Sequence, residues 1–114
     1  MKPPLRSPCP VAAALDVLGD RWTLLVVRDL FRGHTRYGQF LESPESIPTN
    51  LLANRLARLE ASGVVSRKPY QLNPPRYAYR LTPKGRRLGP ILRSLLAWGR
   101  RHAPQTRSFS EQGL

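Results

Sequence analysis

The sequence predicts a mainly α domain carrying one small β-hairpin, an α+β arrangement built from 114 residues. Three observations predict it. Apolar residues recur at helical spacing through the first half of the chain and again near its end. The period then drops from roughly 3.6 to 2 just after Gly63. Two alternating runs follow, separated by Gln71, Leu72, Asn73, Pro74 and Pro75.

Composition narrows what such a domain does. Nineteen Lys and Arg against seven Asp and Glu give a net charge of +12 and a pI near 11.4, which points to a polyanionic partner, with nucleic acid ahead of an anionic membrane surface. No run approaches the roughly 18 apolar residues of a membrane span, and MKPPLRSPCP lacks the apolar centre of a signal peptide, so a cytoplasmic location is expected. One cysteine makes no internal disulfide. With only His34 and His102 besides, no metal-ligand set is expected, and no cofactor.

Residues 1–8 hold three prolines and two cations and read as an extended arm; ordered structure is expected over 9–102, and a polar tail over 103–114. Pro10 suits the first turn of a helix whose Val11, Ala14, Leu15 and Leu18 fall at helical spacing before Gly19. Asp20 is a cap for a second helix over Arg21–Phe31, apolar nearly all round and therefore expected in the middle of the domain. His34, Thr35 and Arg36 read as a short strand, and Tyr37–Ser43 as a third helix burying Tyr37, Phe40 and Leu41. The run SPESIP turns the chain into a fourth helix.

That fourth helix organises the rest. Thr49 is the expected N-cap and Gly63 the stop. Steps of about 100° place Leu52, Leu56 and Leu59 on one narrow face, with Asn50, Asn54, Ala57 and Ala61 opposite and Arg55 and Arg58 on the flank. The outward face carries no acid until Glu60. Small and amide side chains that approach base edges, flanked by guanidinium groups suited to phosphate, make a DNA-reading helix. A short brace helix, a tight connection and this reading helix form a helix-turn-helix.

The two strands, VVSRKPY and RYAYRLT, make a stiff-tipped hairpin with Arg67 and Lys68 on one arm and Arg76 and Arg80 on the other. Helix-turn-helix plus cationic hairpin is a winged helix-turn-helix, its wing directed at the backbone or minor groove. Thr82 and Pro83 repeat the cap-plus-proline start. Leu88, Ile91, Leu92, Leu95, Leu96 and Trp98 then give a last helix with a wide apolar stripe. With Val11, Leu15 and Leu18 of the first helix, these residues are the expected dimer interface, because the domain already has a central helix to fill its core. The expected DNA contacts are Arg36, Thr49, Asn50, Ala53, Asn54, Arg55, Arg58, Arg67, Lys68 and Arg76.

The chain resembles the HxlR-type helix-turn-helix regulators, small winged-helix proteins similar in architecture to the MarR class. The resemblance runs from Cys9 to about Gly99 and rests on CPVAAALDVLGDRWTLLVVRDL, NRLARLEASGVVSRK and PPRYAYRLTPKG, in that order. It implies homodimers that bind operator DNA as repressors or activators, some of them sensing electrophiles or oxidants through the cysteine matching Cys9. Two positions depart from the pattern: Pro48 precedes Thr49 where a Ser commonly precedes the Pro, and Gln39 replaces an acid common in the brace helix. Cys9 itself, at a helix entrance beside Arg6, has raised reactivity if exposed; a lone cysteine is otherwise most often a small buried hydrophobe.

The leading expectation is thus a sequence-specific homodimeric regulator acting on a palindromic site of double-stranded DNA, with a small electrophile or oxidant as inducer if Cys9 senses one. The alternative is a winged-helix module of architectural or RNA-binding type without sequence preference. Such binders need cations and wedges but no base-reading face like Thr49, Asn50 and Asn54. An enzyme is excluded: there is no nucleophile paired with a base, no carboxylate pair on one face and no phosphate-cradling glycine loop.

Overall fold

The computed structural model describes residues 6–103 and 106. In chain order the elements are α1 (Pro10–Leu18), α2 (Thr23–Phe31), α3 (Tyr37–Leu41), α4 (Thr49–Ala61), β1 (Val65–Leu72), β2 (Pro75–Leu81), α5 (Pro83–Arg86) and α6 (Gly89–His102). The arm expected over 1–8 and the tail over 103–114 lie largely outside the described residues. Where the arm is described, Arg6 Nε pairs with Asp16 at 2.9 Å across the exposed side of α1.

α2 occupies the middle, as its all-round apolar character requires. Its Val26, Val27 and Leu30 are buried together with Phe40 of α3, Ile47, Leu52, Leu56 and Leu59 at α4, Val64 and Val65 at the wing's root, and Leu92 of α6. α1 contributes no fully buried residue to this cluster.

Four local starts and stops differ from the expectation, each for an identifiable reason. Asp20 is not the N-cap of α2: its carboxylate accepts from the amides of Trp22 at 2.8 Å and Thr23 at 3.0 Å in a turn ahead of the helix, which starts at Thr23 rather than Arg21 with Trp22 at the N-cap position. α3 ends at Leu41 rather than Ser43, because Ser43 turns its hydroxyl onto the buried carboxylate of Asp29. Thr49 is not the N-cap of α4. Pro48 holds φ −60° and ψ 145° and its carbonyl accepts the first helical bond from Leu52 at 3.0 Å, which leaves Thr49 inside the first turn with no cap made by its hydroxyl. The wing is longer than the alternating runs suggested: the ladder continues to Leu72↔Pro75, leaving Asn73 and a cis Pro74 as a two-residue tip.

Other signals hold. Gly63 takes φ +79°, the left-handed conformation that ends α4, and Lys84 Nζ donates to the Ser62 carbonyl at 2.6 Å just beyond the helix. Thr82 caps α5 by accepting from the Gly85 amide at 3.1 Å, while its hydroxyl donates to the Gly63 carbonyl. The strand expected at His34–Arg36 is a single bridge, Arg36↔Ala78, with the Tyr79 amide donating to Thr35 at 2.7 Å. Gln39 turns its departure from the family pattern to use: its Oε1 accepts from the Thr35 and Arg36 amides at 2.8 and 3.0 Å, tying down the start of α3.

Candidate nucleic-acid interface

α4 is presented outward by three leucines. Leu52, Leu56 and Leu59 are buried, so Thr49, Asn50, Ala53, Asn54, Ala57 and Arg58 are all exposed on the other side. The brace helix fixes the near end, where the Tyr37 hydroxyl donates to the Thr49 carbonyl. Burial and the neighbouring Tyr79 raise the Tyr37 phenol above its usual value, against a backbone hydrogen bond that lowers it, so it remains a donor at neutral pH.

Arg55 departs from its expected role. Its side chain is 15% exposed, and its Nε donates to Asp20 at 3.0 Å, 35 residues back in the chain. It braces the reading helix to the entrance of α2 rather than presenting a phosphate contact. Its Nη1 also donates to Asn54 Oδ1 at 2.5 Å, which orients that amide with its NH2 pointing away from the guanidinium. Burial alone would raise the Asp20 carboxyl. Hydrogen bonds from the Thr23 hydroxyl, the Trp22 amide, Arg55 and the Thr23 amide outweigh it and hold the group well below the usual carboxylate range.

A second polar network sits beneath the turn between α3 and α4. Asp29 is buried, accepts from Arg28 at 2.9 Å and from the Ser43 hydroxyl, and Arg28 reaches on to Glu45 with both Nη atoms at 2.8 Å. The Arg28 hydrogen bond holds Glu45 below its usual value, with burial opposing it. Sequence reasoning missed this network, since an acid on an apolar helix carries no local sign of the serine that will meet it.

The wing is held by one stacked contact to the start of α3, one stacked contact within the hairpin and one ion pair to α4. The Arg36 guanidinium lies over the Tyr70 ring at 4.0 Å, and Arg67 lies over Tyr77 at 4.1 Å while its Nε approaches Glu60 of α4 at 3.3 Å. Tyr70 reaches Arg36 because the register shifts between Pro69 and Gln71, making Tyr70 the unpaired residue of a bulge. Of the expected wing and brace cations, Lys68 and Arg76 are exposed with no acid paired to them among the described residues, whereas Arg36 and Arg67 are exposed but engaged. Arg36, Arg76 and four tyrosines line a cleft of about 410 Å³ between α3 and the wing.

Cys9 is exposed. It occupies the N-cap position of α1, its carbonyl accepting from Ala13 at 3.0 Å and its amide donating to Ser7 Oγ at 3.1 Å. Arg6, expected beside the sulfur, is turned onto Asp16 and the Ala12 carbonyl.

The stripe proposed for the partner subunit divides. Val11 (66% exposed), Leu15, Ile91, Leu95 and Trp98 (66%) are uncovered, and Leu18 and Leu96 are half-buried. Leu92, at 7%, belongs to the domain's own core and Leu88 packs against it, so neither is available to a partner. One turn of α6 faces inward because Gly89 lies against Phe31, where an added Cβ would already touch the ring at 3.4 Å. Among the described residues no group of three or more His, Cys, Asp or Glu is placed to hold a metal, and no helix is long and apolar enough to cross a membrane.

Comparison with known proteins bears on the family and the fold. The HTH-type transcriptional regulator sll1512 of Synechocystis sp. is 40% identical over 84 residues, covering 74% of this chain and 62% of the relative, so the chain spans under two thirds of that protein's length. Among solved structures, PA1607, a transcription-factor candidate, superposes with a TM-score of 0.80 at 42% identity, covering 91% of this chain and 73% of that one. The oxidized form of the redox regulator HypR gives 0.74 at 35% identity, covering 89% and 100%. Residues 17–107 match the HxlR-like helix-turn-helix family, and the chain belongs to that family of DNA-binding transcriptional regulators, which are not enzymes.

Proposed function

We propose that two copies of this chain bind a two-fold-symmetric site on double-stranded DNA and regulate transcription there, in the cytoplasm, with α4 in the major groove. The observation that carries the reading is the division of α4 between a buried leucine face and an outward face of Thr49, Asn50, Ala53 and Asn54, with Arg58 at its margin. Side chains of that kind read base edges, and the neighbouring cations Lys68 and Arg76 contact phosphate without selecting sequence. The uncovered side chains of α1 and α6 supply the apolar surface a second copy would cover.

Sensing belongs to Cys9 in this reading. The thiol is exposed at the end of α1, beside the proposed interface, and the structural relative HypR is itself a redox regulator. An electrophile or oxidant that modifies the sulfur shifts the angle between protomers and hence the spacing of the paired reading helices, which a rigid site tolerates poorly.

The deciding experiment is selection of DNA from a random pool by the purified protein. A palindrome whose half-sites lie about one helical turn apart, roughly 34 Å or a multiple, is the expected result. Uniform recovery of all sequences would instead make the protein a general nucleic-acid module of architectural or RNA-binding type. Diamide treatment is expected to change affinity for the selected site in the wild type and not in Cys9→Ser; an equal response of both removes Cys9 from the mechanism.

A further inference from the structure

The tip of the wing is apolar where a simple phosphate-binding hairpin has every reason to be cationic. Leu72 is 76% exposed, the highest value for any large hydrophobic among the described residues, and it is flanked by Asn73, Pro74 and Pro75. Nothing in the fold covers it, yet it is held firmly. It pairs with Pro75 in the last rung of the ladder, and Gln71 Nε2 donates to the Pro74 and Asn73 carbonyls at 3.1 and 3.4 Å, closing the tip against its own side chain. Farther back, the Arg36 guanidinium on the Tyr70 ring pins the hairpin to the brace helix. A stiff arm ends in a branched apolar side chain.

Its surroundings identify the occupant. Arg76 sits one rung behind Leu72, opposite Gln71, and Lys68 lies farther along the same arm, on a chain of net charge +12. From the buried root at Val65 to Leu72 is seven residues, or about 23 Å at some 3.3 Å per residue. That exceeds the half turn, roughly 17 Å, separating a major groove from the adjacent minor groove. A minor groove about 6 Å wide and 7.5 Å deep admits a hairpin tip, with its two phosphate walls meeting the cations behind.

We infer that Leu72 is a minor-groove wedge: with α4 in the major groove, the wing tip enters the flanking minor groove and Leu72 inserts at a base step, unstacking it and bending the duplex. Apolar wedges of this kind, Leu and Pro among them, open base steps in other minor-groove complexes. Pyrimidine–purine steps such as TA unstack most readily, so the protein prefers such a step at each flank of its site without a hydrogen bond to it. The inference rests on the proposal that α4 and the wing bind duplex DNA, and it adds a specificity determinant outside the reading helix.

The test uses the full chain and the duplex it selects, with 2-aminopurine placed in the flanking step and a donor–acceptor pair on the duplex ends. Wild type and Leu72→Phe are expected to raise 2-aminopurine emission and shorten the end-to-end distance; Leu72→Ser, an exposed change that leaves the fold intact by circular dichroism, is expected to do neither. Replacing the flanking TA step by AA should weaken wild-type binding about tenfold and Leu72→Ser binding hardly at all. If Leu72→Ser bends the DNA and discriminates the flanks as wild type does, the wedge is refuted while sequence-specific binding by α4 stands. If Leu72→Ser instead alters sedimentation, the tip covers a second copy and the inference is also overturned. If wild type prefers no duplex over random DNA, the parent reading fails first, and visibly so.

Discussion

The helix-turn-helix and the helices flanking it are finished to different degrees. Between Asp20 and the end of α4 the apolar faces pack on one another, and the buried Asp29, the part-buried Asp20 and the exposed Glu45 each meet a guanidinium: Asp20 with Arg55, Asp29 and Glu45 with Arg28. In α1 and α6 the apolar residues Val11, Leu15, Ile91, Leu95 and Trp98 stay uncovered, and only Leu92 enters the core. The contrast teaches where this chain keeps its rigidity. In the dimeric reading proposed above, the unit that would read DNA is complete within one copy, while the helices that would set the distance between two readers await a second one.

The largest effect that sharpens this contrast lies in the core. Leu56→Ala is expected to cost about 2–5 kcal/mol, because the side chain is fully enclosed between α2 and the wing root and its removal leaves a cavity. Leu95→Ala, measured where the protein sediments as a monomer, should change stability by no more than about 0.5 kcal/mol while weakening self-association. Urea titration of both variants checks the pair, and equal losses at monomeric concentration would erase the distinction between the two regions. Asp29→Ala follows at about 2–3 kcal/mol, since it removes one of the two acids on Arg28, which keeps Glu45, and leaves the buried Ser43 hydroxyl without its acceptor. Asp29→Asn, which keeps an acceptor for Ser43, should cost less.

The same division separates what the sequence disclosed from what it hid. Residues whose role follows from their own helix or strand were legible: Leu52, Leu56 and Leu59 as an inward face, Gly63 as a stop, α2 as the centre, Thr82 as a cap. What was hidden depends on partners brought together by the fold. Arg55 looks like any flanking cation until Asp20 arrives from 35 residues away, and Leu92 is one more stripe residue until the Gly89–Phe31 contact turns it inward. The wing's extra length had the same cause, because Leu72 and Pro75, placed between the two runs by the sequence pattern, pair only once the opposite strand is in register. Pro48 prevailed over Thr49 at the helix start through backbone geometry alone, which outranks a hydroxyl preference.

Within the reading unit, helix and wing are themselves expected to differ. Asn54→Ala should cost about 1–3 kcal/mol at one base position and relax choice there, because the amide is held outward by Arg55 and its loss removes a base-edge contact. Arg76→Ala should weaken binding to all sequences and lower the salt slope by about 1. Affinities on selected and random duplex over a range of salt decide between these roles. Equal losses on both duplexes for both variants would show that helix and wing do the same job.

The smallest expected effect tests the joint between the finished unit and the flanks, where α1 gives way to α2. Asp20 there accepts from two amides and the Thr23 hydroxyl and anchors Arg55, so Asp20→Asn, which keeps one acceptor but loses the second oxygen and the charge facing Arg55, should cost about 1 kcal/mol near neutral pH. Its pH dependence carries the sharper information. These hydrogen bonds hold the folded carboxyl below the value of roughly 3.9 that it has in the unfolded chain. A group depressed in this way contributes stability that is complete above the unfolded value and is lost as pH falls through the folded one. The stability difference between wild type and Asp20→Asn should therefore be level from about pH 5 to 7 and shrink below about pH 4. In Arg55→Ala the carboxyl loses one of the donors that depress it, so the plateau should be lower and the shrinkage should finish at higher pH, its onset still set by the unfolded value. Denaturant titrations at several pH values distinguish this from generic acid unfolding. A difference that grows on acidification, or one unaltered by Arg55→Ala, would mean that the Asp20–Arg55 contact contributes nothing to holding the reading helix in place.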